Sequence, residues 1–215
     1  MVALGCFDLL IKAWSCIMNG SFAALLLAGG KSQRMGSDKA MLEWQGQLLW
    51  RVQLAKLRAL CPNRLVIACR EEQSLGQDPD IEWLYDPPTE DSGPMRAICR
   101  ALDAVQMPLL VLAVDMPWMT TDFMRAELLF AAGHERGFFI ATEHGPEPMA
   151  AIYVPLMLHR MNRCVEVGRL SLQHFVAECT EAELAQVRPI QPQETIFFSN
   201  ANTPIEWLHE KGKSD

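Results

Sequence analysis

The chain is short of positive charge: 19 lysines and arginines stand against 26 aspartates and glutamates in 215 residues, a formal net charge of −7. That balance excludes a general nucleic-acid binder, which carries a basic surface. An anionic substrate must therefore be drawn by local positive potential rather than by the whole molecule. The seven cysteines, Cys6, Cys16, Cys61, Cys69, Cys99, Cys164 and Cys179, contain no Cys-x-x-Cys pair, so zinc-ribbon and dithiol chemistry lack a motif. Most sit in apolar surroundings and read as reduced thiols of a cytoplasmic protein. His134, His144, His159, His174 and His209 show no His-x-x-x-His spacing, so a histidine metal site is not expected. Met1 to Ile17 is apolar but holds Asp8 and Lys12 and is too short for a membrane span. It also lacks the basic start and small-residue cleavage site of a signal peptide. No linker, repeat or low-complexity segment interrupts the rest. Half the residues are hydrophobic and 21% charged, as in a single globular domain with a well-buried core.

What is present in strength is one loop, Ala24-Leu25-Leu26-Leu27-Ala28-Gly29-Gly30-Lys31-Ser32-Gln33-Arg34-Met35-Gly36-Ser37-Asp38-Lys39. The run Phe22 to Leu27 is continuous and apolar, as a strand buried on both faces is. Two glycines at its end let the chain turn sharply and bring backbone N–H groups close to a ligand. Lys31, Arg34 and Lys39 add charge where those dipoles point. A strand, a glycine turn and clustered cations make a polyphosphate site. The spacing fits neither the P-loop nor the Gly-x-Gly-x-x-Gly dinucleotide fingerprint.

Downstream, the pattern predicts a helix over Leu48 to Leu60, with Leu49, Val52, Leu57 and Leu60 at helical spacing and Cys61-Pro62-Asn63 as its stop. Strands are expected at Leu65 to Cys69, Ile81 to Tyr85 and Leu109 to Val114. Helices are expected from Pro94 to about Val105 and from about Thr121 to Ala132. Strands without polar alternation, separated by helices, mean a parallel sheet covered on both faces. Such sheets bind ligands beyond the carboxyl ends of their strands, and Gly29, Asp86 and Asp115 all fall at such ends. After Gly137 the order loosens: strands at Phe138 to Thr142 and Met149 to Val154, helices at Leu156 to Cys164 and Leu172 to Glu178. The segment Asn200-Ala201-Asn202-Thr203-Pro204-Ile205-Glu206 has a Thr N-cap, Pro at the first helical position and Glu at the third.

Asp115 follows six apolar residues in Leu112-Ala113-Val114-Asp115-Met116-Pro117. A carboxylate at the mouth of a buried strand needs a partner, and magnesium, which takes carboxylate and phosphate oxygens, is a natural one. The plainer role is a helix cap near Pro117. Asp86, ahead of Pro87-Pro88, is by itself an ordinary turn residue.

The loop resembles the signature Leu-Ala-Gly-Gly-x-Ser-x-Arg-Met-Gly-x-Asp-Lys of the MobA-like nucleotidyltransferases that make the dinucleotide form of the molybdenum cofactor. Every specified residue of that signature is present between Leu27 and Lys39. The family's hydrophobic-x-x-Asp-Met-Pro motif matches at Asp115, and Asn200 and Asn202 lie in a segment similar to its Asn-x-Asn-Thr-Pro-Glu. The resemblance covers roughly Ser21 to Leu208. It implies a single-domain, three-layer α/β/α, Rossmann-like nucleotidyltransferase fold with a mostly parallel sheet. It sets residues 21–210 as that domain and 1–20 as a non-conforming N-terminal extension, with Met18 expected as the true start.

The activity implied is guanylyl transfer: the phosphate of molybdopterin, with or without its metal, attacks the α-phosphorus of GTP and releases pyrophosphate. The catalytic residues carried over are Lys39, Arg34 and Asp115. The nucleotide-binding ones are Leu27, Ala28, Gly29, Gly30, Lys39, Asp86, Gly93 and Asp115. Gly29 and Gly30 amides with Arg34 hold the β and γ phosphates, and Lys39 reaches the α-phosphate. Mg2+ is the implied cofactor, held by Asp115, with Asn202 either a further ligand or a simple cap. A molybdoenzyme or chaperone is the kind of protein partner such an enzyme serves. The family's Gly-Pro-Leu-x-Gly is here Gly93-Pro94-Met95-Arg96-Ala97, and its asparagine at the end of the second strand is missing from Ile67-Ala68-Cys69-Arg70. Both departures lie where base or ribose is read. A cytidylyltransferase of the same fold and a non-catalytic nucleotide-binding relative therefore stand as alternatives.

Overall fold

The structure is a computed structural model, which describes residues 21–29, 38–73, 75–76, 78–87, 93–129 and 135–200. Its strands, in chain order, are β1 (Ala23–Leu27), β2 (Glu43–Trp44), β3 (Gln47–Leu48), β4 (Arg64–Arg70), β5 (Glu82–Asp86), β6 (Leu109–Ala113), β7 (Gly137–Thr142), β8 (Gly145–Tyr153) and β9 (Ala185–Pro189). Seven of them form one sheet in the order β5-β4-β1-β6-β8-β7-β9. β1 is its axis. All five of its residues are buried, and it pairs in parallel with β4 on one side and β6 on the other. Two covered faces explain the apolar runs of β1 and β6 and of Leu65 to Cys69 within β4.

The principal helices are α1 (Leu49–Arg58), α2 (Pro94–Val105), α3 (Leu158–Glu166) and α4 (Leu172–Glu181). The α1 crossover leads from β1 outward to β4, while α2 leads from β5 back across to β6. Right-handed crossovers running in opposite directions place the two helices on opposite faces. The three-layer expectation is met, and the core lies in the two interfaces between helices and sheet. Pro94 at the start of α2, with Gly93 as its N-cap, sets the helix origin as anticipated.

The expected helix after Thr121 begins as an α-turn, Thr121–Phe123, with the Thr120 hydroxyl capping the Phe123 N–H. It then widens to a π-type turn over Met124–Leu129. The C-terminal half departs further from the pattern. β8 runs antiparallel to both β6 and β7, and starts four residues before the expected Met149. β9 was not anticipated. Its sequence, Ala-Gln-Val-Arg-Pro, alternates like a half-exposed edge strand and lacks the apolar run that marks the central ones. A small hairpin of β2 and β3 was missed as well; its turn residues Gln45 and Gly46 both have positive φ, 49° and 79°. The Met1–Gly20 extension lies outside the described residues.

Candidate active site

At the carboxyl edge, Leu27 aligns with Ala68 and with Ala113, Ala68 with Leu84, and Leu112 with Ala150. Carrying this register onward, two residues past Leu27, Ala68, Leu84 and Ala113 and three past the Leu112–Ala150 pair, brings Gly29, Arg70, Asp86, Asp115 and Glu147 to one row along the rim. Three of these were expected there from the sequence. Arg70 and Glu147 were not.

Gly29 is needed for room rather than for backbone dihedrals. Ala28 and Gly29 both donate their N–H to the carbonyl of Ala68, at 2.9 and 3.0 Å. A Cβ on Gly29 would lie 2.9 Å from Oδ2 of Asp86 and 3.7 Å from Cα of Cys69. The space beside the first loop glycine therefore holds the Asp86 carboxylate, whose side chain is only 7% exposed and lies 3.8 Å from Arg100. Burial and the Asp86 charge together push the Cys69 thiol up to about 11, so it is an inert packing group. Cys69, Cys99, Cys164 and Cys179 are buried free thiols and Cys61 an exposed one.

The far end of the loop is tied down as firmly. Asp38 caps the short turn Lys39–Met41, its Oδ1 accepting from the Ala40 N–H at 3.0 Å. Its Oδ2 accepts from Arg70 at 3.0 Å and from the Gln73 side-chain amide at 2.7 Å. The same Gln73 amide donates to the Ala28 carbonyl at 2.9 Å, so one buried side chain bridges residues on either side of the glycine loop. Lys39 then reaches across the rim and donates to Oδ2 of Asp115 at 2.9 Å. Residues 76 apart in sequence, each from a separate motif, thus form an ion pair whose side chains are 22% and 24% exposed.

Asp115 sits in a tight turn after β6, and α1 braces that turn. Gln53 donates its amide to the Met116 carbonyl at 2.7 Å, with longer contacts to Ala113 at 3.3 Å and Val114 at 3.4 Å. One helical turn on, Lys56 donates to the Pro117 carbonyl at 2.6 Å, and burial lowers its pKa to about 8. Trp44, from the small hairpin, packs edge-on against Trp118 at 5.2 Å. Glu147 comes from β8 and accepts the Met149 N–H at 2.9 Å. Burial raises its carboxyl pKa, and the Asp115 charge raises it further.

Gly93 lies at the start of α2 with open space where a Cβ would be. Gly30, Arg34 and Asn202 fall outside the described residues. Among the described residues no group of three histidine, cysteine or acidic side chains could hold a metal. That excludes an all-protein cage from them, but not magnesium, which needs only one or two carboxylates beside phosphate oxygens. Asp115 offers such a hard oxygen donor at an accessible rim, and the site fits that ion. No helix of the described residues is long and apolar enough to cross a membrane.

Residues 24–186 match the MobA-like NTP transferase domain. The chain belongs to this family. It is 31% identical to a protein of Synechococcus elongatus named probable molybdenum cofactor guanylyltransferase, over 87% of this chain and 96% of that one. A protein of the same name from Opitutus terrae is 32% identical, over 90% and 96% of the respective chains. Among solved structures, molybdopterin-guanine dinucleotide biosynthesis protein A from Archaeoglobus fulgidus superposes with a TM-score of 0.67 at 22% identity. That alignment covers 88% of this chain and 97% of the other, and it shows the shared fold.

Proposed function

We propose that this protein transfers GMP from GTP to molybdopterin, or to its molybdenum-loaded form, and releases pyrophosphate. The observation that carries the reading is the Lys39–Asp115 pair, 2.9 Å across the carboxyl edge of a parallel sheet and flanked by the glycine loop. The names of its relatives point the same way. In-line displacement at phosphorus makes small demands on covalent chemistry, so the protein's task is to position groups and neutralise charge. Lys39 follows the α-phosphate, where negative charge grows. The Gly30 amide with Arg34 holds the β and γ phosphates; the Gly29 N–H is already spent on the Ala68 carbonyl, so the expected amide role of Gly29 gives way to that of leaving room beside Asp86. Asp86 and Gly93 border the nucleoside, with Leu27 and Ala28 forming the floor below it. Asp115, with Asn202 as a second candidate, would hold Mg2+, which would supply Lewis-acid neutralisation of the phosphate charge. No general base is required, because the attacking phosphate already carries negative charge near neutral pH.

The second reading, transfer from CTP, rests on Arg96 and Ala97 standing where the family pattern has other residues. The test is pyrophosphate release from GTP, CTP and ATP, each with Mg2+ and molybdopterin. Release with GTP alone is the expected result. Preference for CTP would move the chain to the sister activity. Nucleotide binding without release from any of the three would make it a binding protein.

A further inference from the structure

We infer that Gln53 and Lys56 are positioning residues for Asp115, and that α1 acts as the support that sets this carboxylate against the metal and the α-phosphate. The inference rests on the nucleotidyl-transfer reading for the role of Asp115, and on hydrogen bonds alone for the support itself.

The chain leaves the sheet after Ala113, and of the carbonyls of residues 113–117 that of Met116 also accepts the Met119 N–H at 3.2 Å. Four of the five, those of Ala113, Val114, Met116 and Pro117, receive donors from α1: three from the Gln53 amide and one from Lys56. The two side chains are three residues apart and so lie on one helix face. The fifth residue of the turn is Asp115 itself. Its backbone is therefore held from both sides while its side chain is left to face Lys39.

Stability alone is a poor account of Gln53. The residue is fully buried, on the same stripe as Leu49 and Leu57, four residues away on either side. Its amide oxygen is buried and has no hydrogen-bond partner among the described residues. An unmatched buried acceptor is unfavourable, and an apolar side chain there would avoid it. What the apolar side chain would lack is the donor that fixes the turn. Supports of this kind commonly matter almost as much as the group they orient.

The test uses the full chain and the variants Gln53→Met and Lys56→Met. Gln53→Met keeps length and flexibility and loses the donor. The expected result is a kcat lowered roughly ten- to hundredfold by Gln53→Met, with KM for GTP within about twofold of the parent. The Mg2+ concentration for half-maximal rate rises in parallel, and Lys56→Met shows the same pattern more weakly. Mn2+ titrated alone, followed by water-proton relaxation, gives a readout independent of turnover. It should bind Gln53→Met more weakly than the parent. A lowered thermal midpoint with unchanged kcat and unchanged metal dependence would overturn the inference and leave Gln53 a packing residue. If Gln53→Met fails to fold, Lys56→Met decides on the same measurements, its partner being a single carbonyl at the turn's end. A parent protein inactive with every nucleotide overturns the transfer reading, and the Mn2+ comparison then decides the support by itself. Equal Mn2+ affinity, or none in either protein, overturns it.

Discussion

The two halves of the sheet solve different problems with different residues. In the half β5-β4-β1-β6 every neighbouring pair is parallel, and the strands end together at one rim. Apolar burial holds the interiors of these strands, and the exposed Arg64–Glu82 pair joins β4 and β5 at the end away from the rim. In the half β8-β7-β9 the order is set by a hairpin and an edge strand. Here polar side chains fasten the structure. Arg188 bonds to Glu194 and to Glu127 at 3.0 Å each, and the buried Tyr153 hydroxyl donates to the Pro148 carbonyl at 3.0 Å. On the reading proposed above, the rim pair Lys39–Asp115 serves chemistry, whereas the Arg188–Glu194 pair serves architecture. The Lys39–Asp115 and Arg188–Glu194 pairs make the contrast testable.

The largest expected effect comes from Lys39→Ala and Asp115→Ala. Each should lower turnover roughly a hundredfold or more, the scale of losing one preorganised electrostatic contact. Each should cost little stability, since a partly exposed ion pair contributes about 1 kcal/mol or less. Steady-state kinetics beside a denaturant midpoint checks both statements. A large loss of stability in either variant would erase the distinction between the halves.

Next comes Arg188→Met, for which the expectation is reversed. Glu194 is 7% exposed on its side chain, and truncating its partner leaves a buried carboxylate whose one other hydrogen bond among the described residues comes from the Gln191 N–H. Breaking a buried pair from one side costs on the order of 3 kcal/mol, which should appear as a lower urea midpoint. KM for GTP should stay within about twofold. A raised KM with unchanged stability would place Arg188 in the site and break the comparison.

The same contrast explains what could be read in the sequence. Leu25, Leu26, Leu110 and Leu112 announce strands buried on both faces, and such strands mark their own ends; Gly29, Asp86 and Asp115 were therefore legible as a rim. Lys39 was legible because the loop signature is dense. Gln53 was not, because a glutamine in a helix reads as solvent-facing. The helix periodicity placed Val52 among the inward positions, whereas the buried set is Leu49, Trp50, Gln53, Leu54 and Leu57. One signal was available: Gln53 falls on the stripe of Leu49 and Leu57, where a polar residue has to be bonding something. β9 was invisible for the opposite reason, since alternation over five residues ending in proline resembles a loop as much as an edge strand. Glu147 could be found only through the antiparallel register of β8, which apolar patterning does not encode.

Glu147 belongs to the fastening half by sequence and to the reactive rim by position, and it gives the smallest effect. Burial and the charge of Asp115 both raise its pKa in the folded protein. The folded state therefore disfavours the charged form. The unfolded chain releases the proton more readily, so ionisation at neutral pH works against folding. Glu147→Gln keeps an oxygen that can accept the Met149 N–H and removes the charge. The variant should melt higher than the parent at pH 7, by about 1–3 °C. The sign fixes the pH dependence. The penalty is absent below the unfolded carboxylate pKa of about 4.3, grows as pH rises through the raised folded value, and is constant above it. The gap between variant and parent should thus close as pH falls toward 4. A variant that melts lower at pH 7, or a gap indifferent to pH, would mean that the Glu147 charge is welcomed at the rim. The carboxylate would then rank with Lys39 and Asp115 as part of the reactive half.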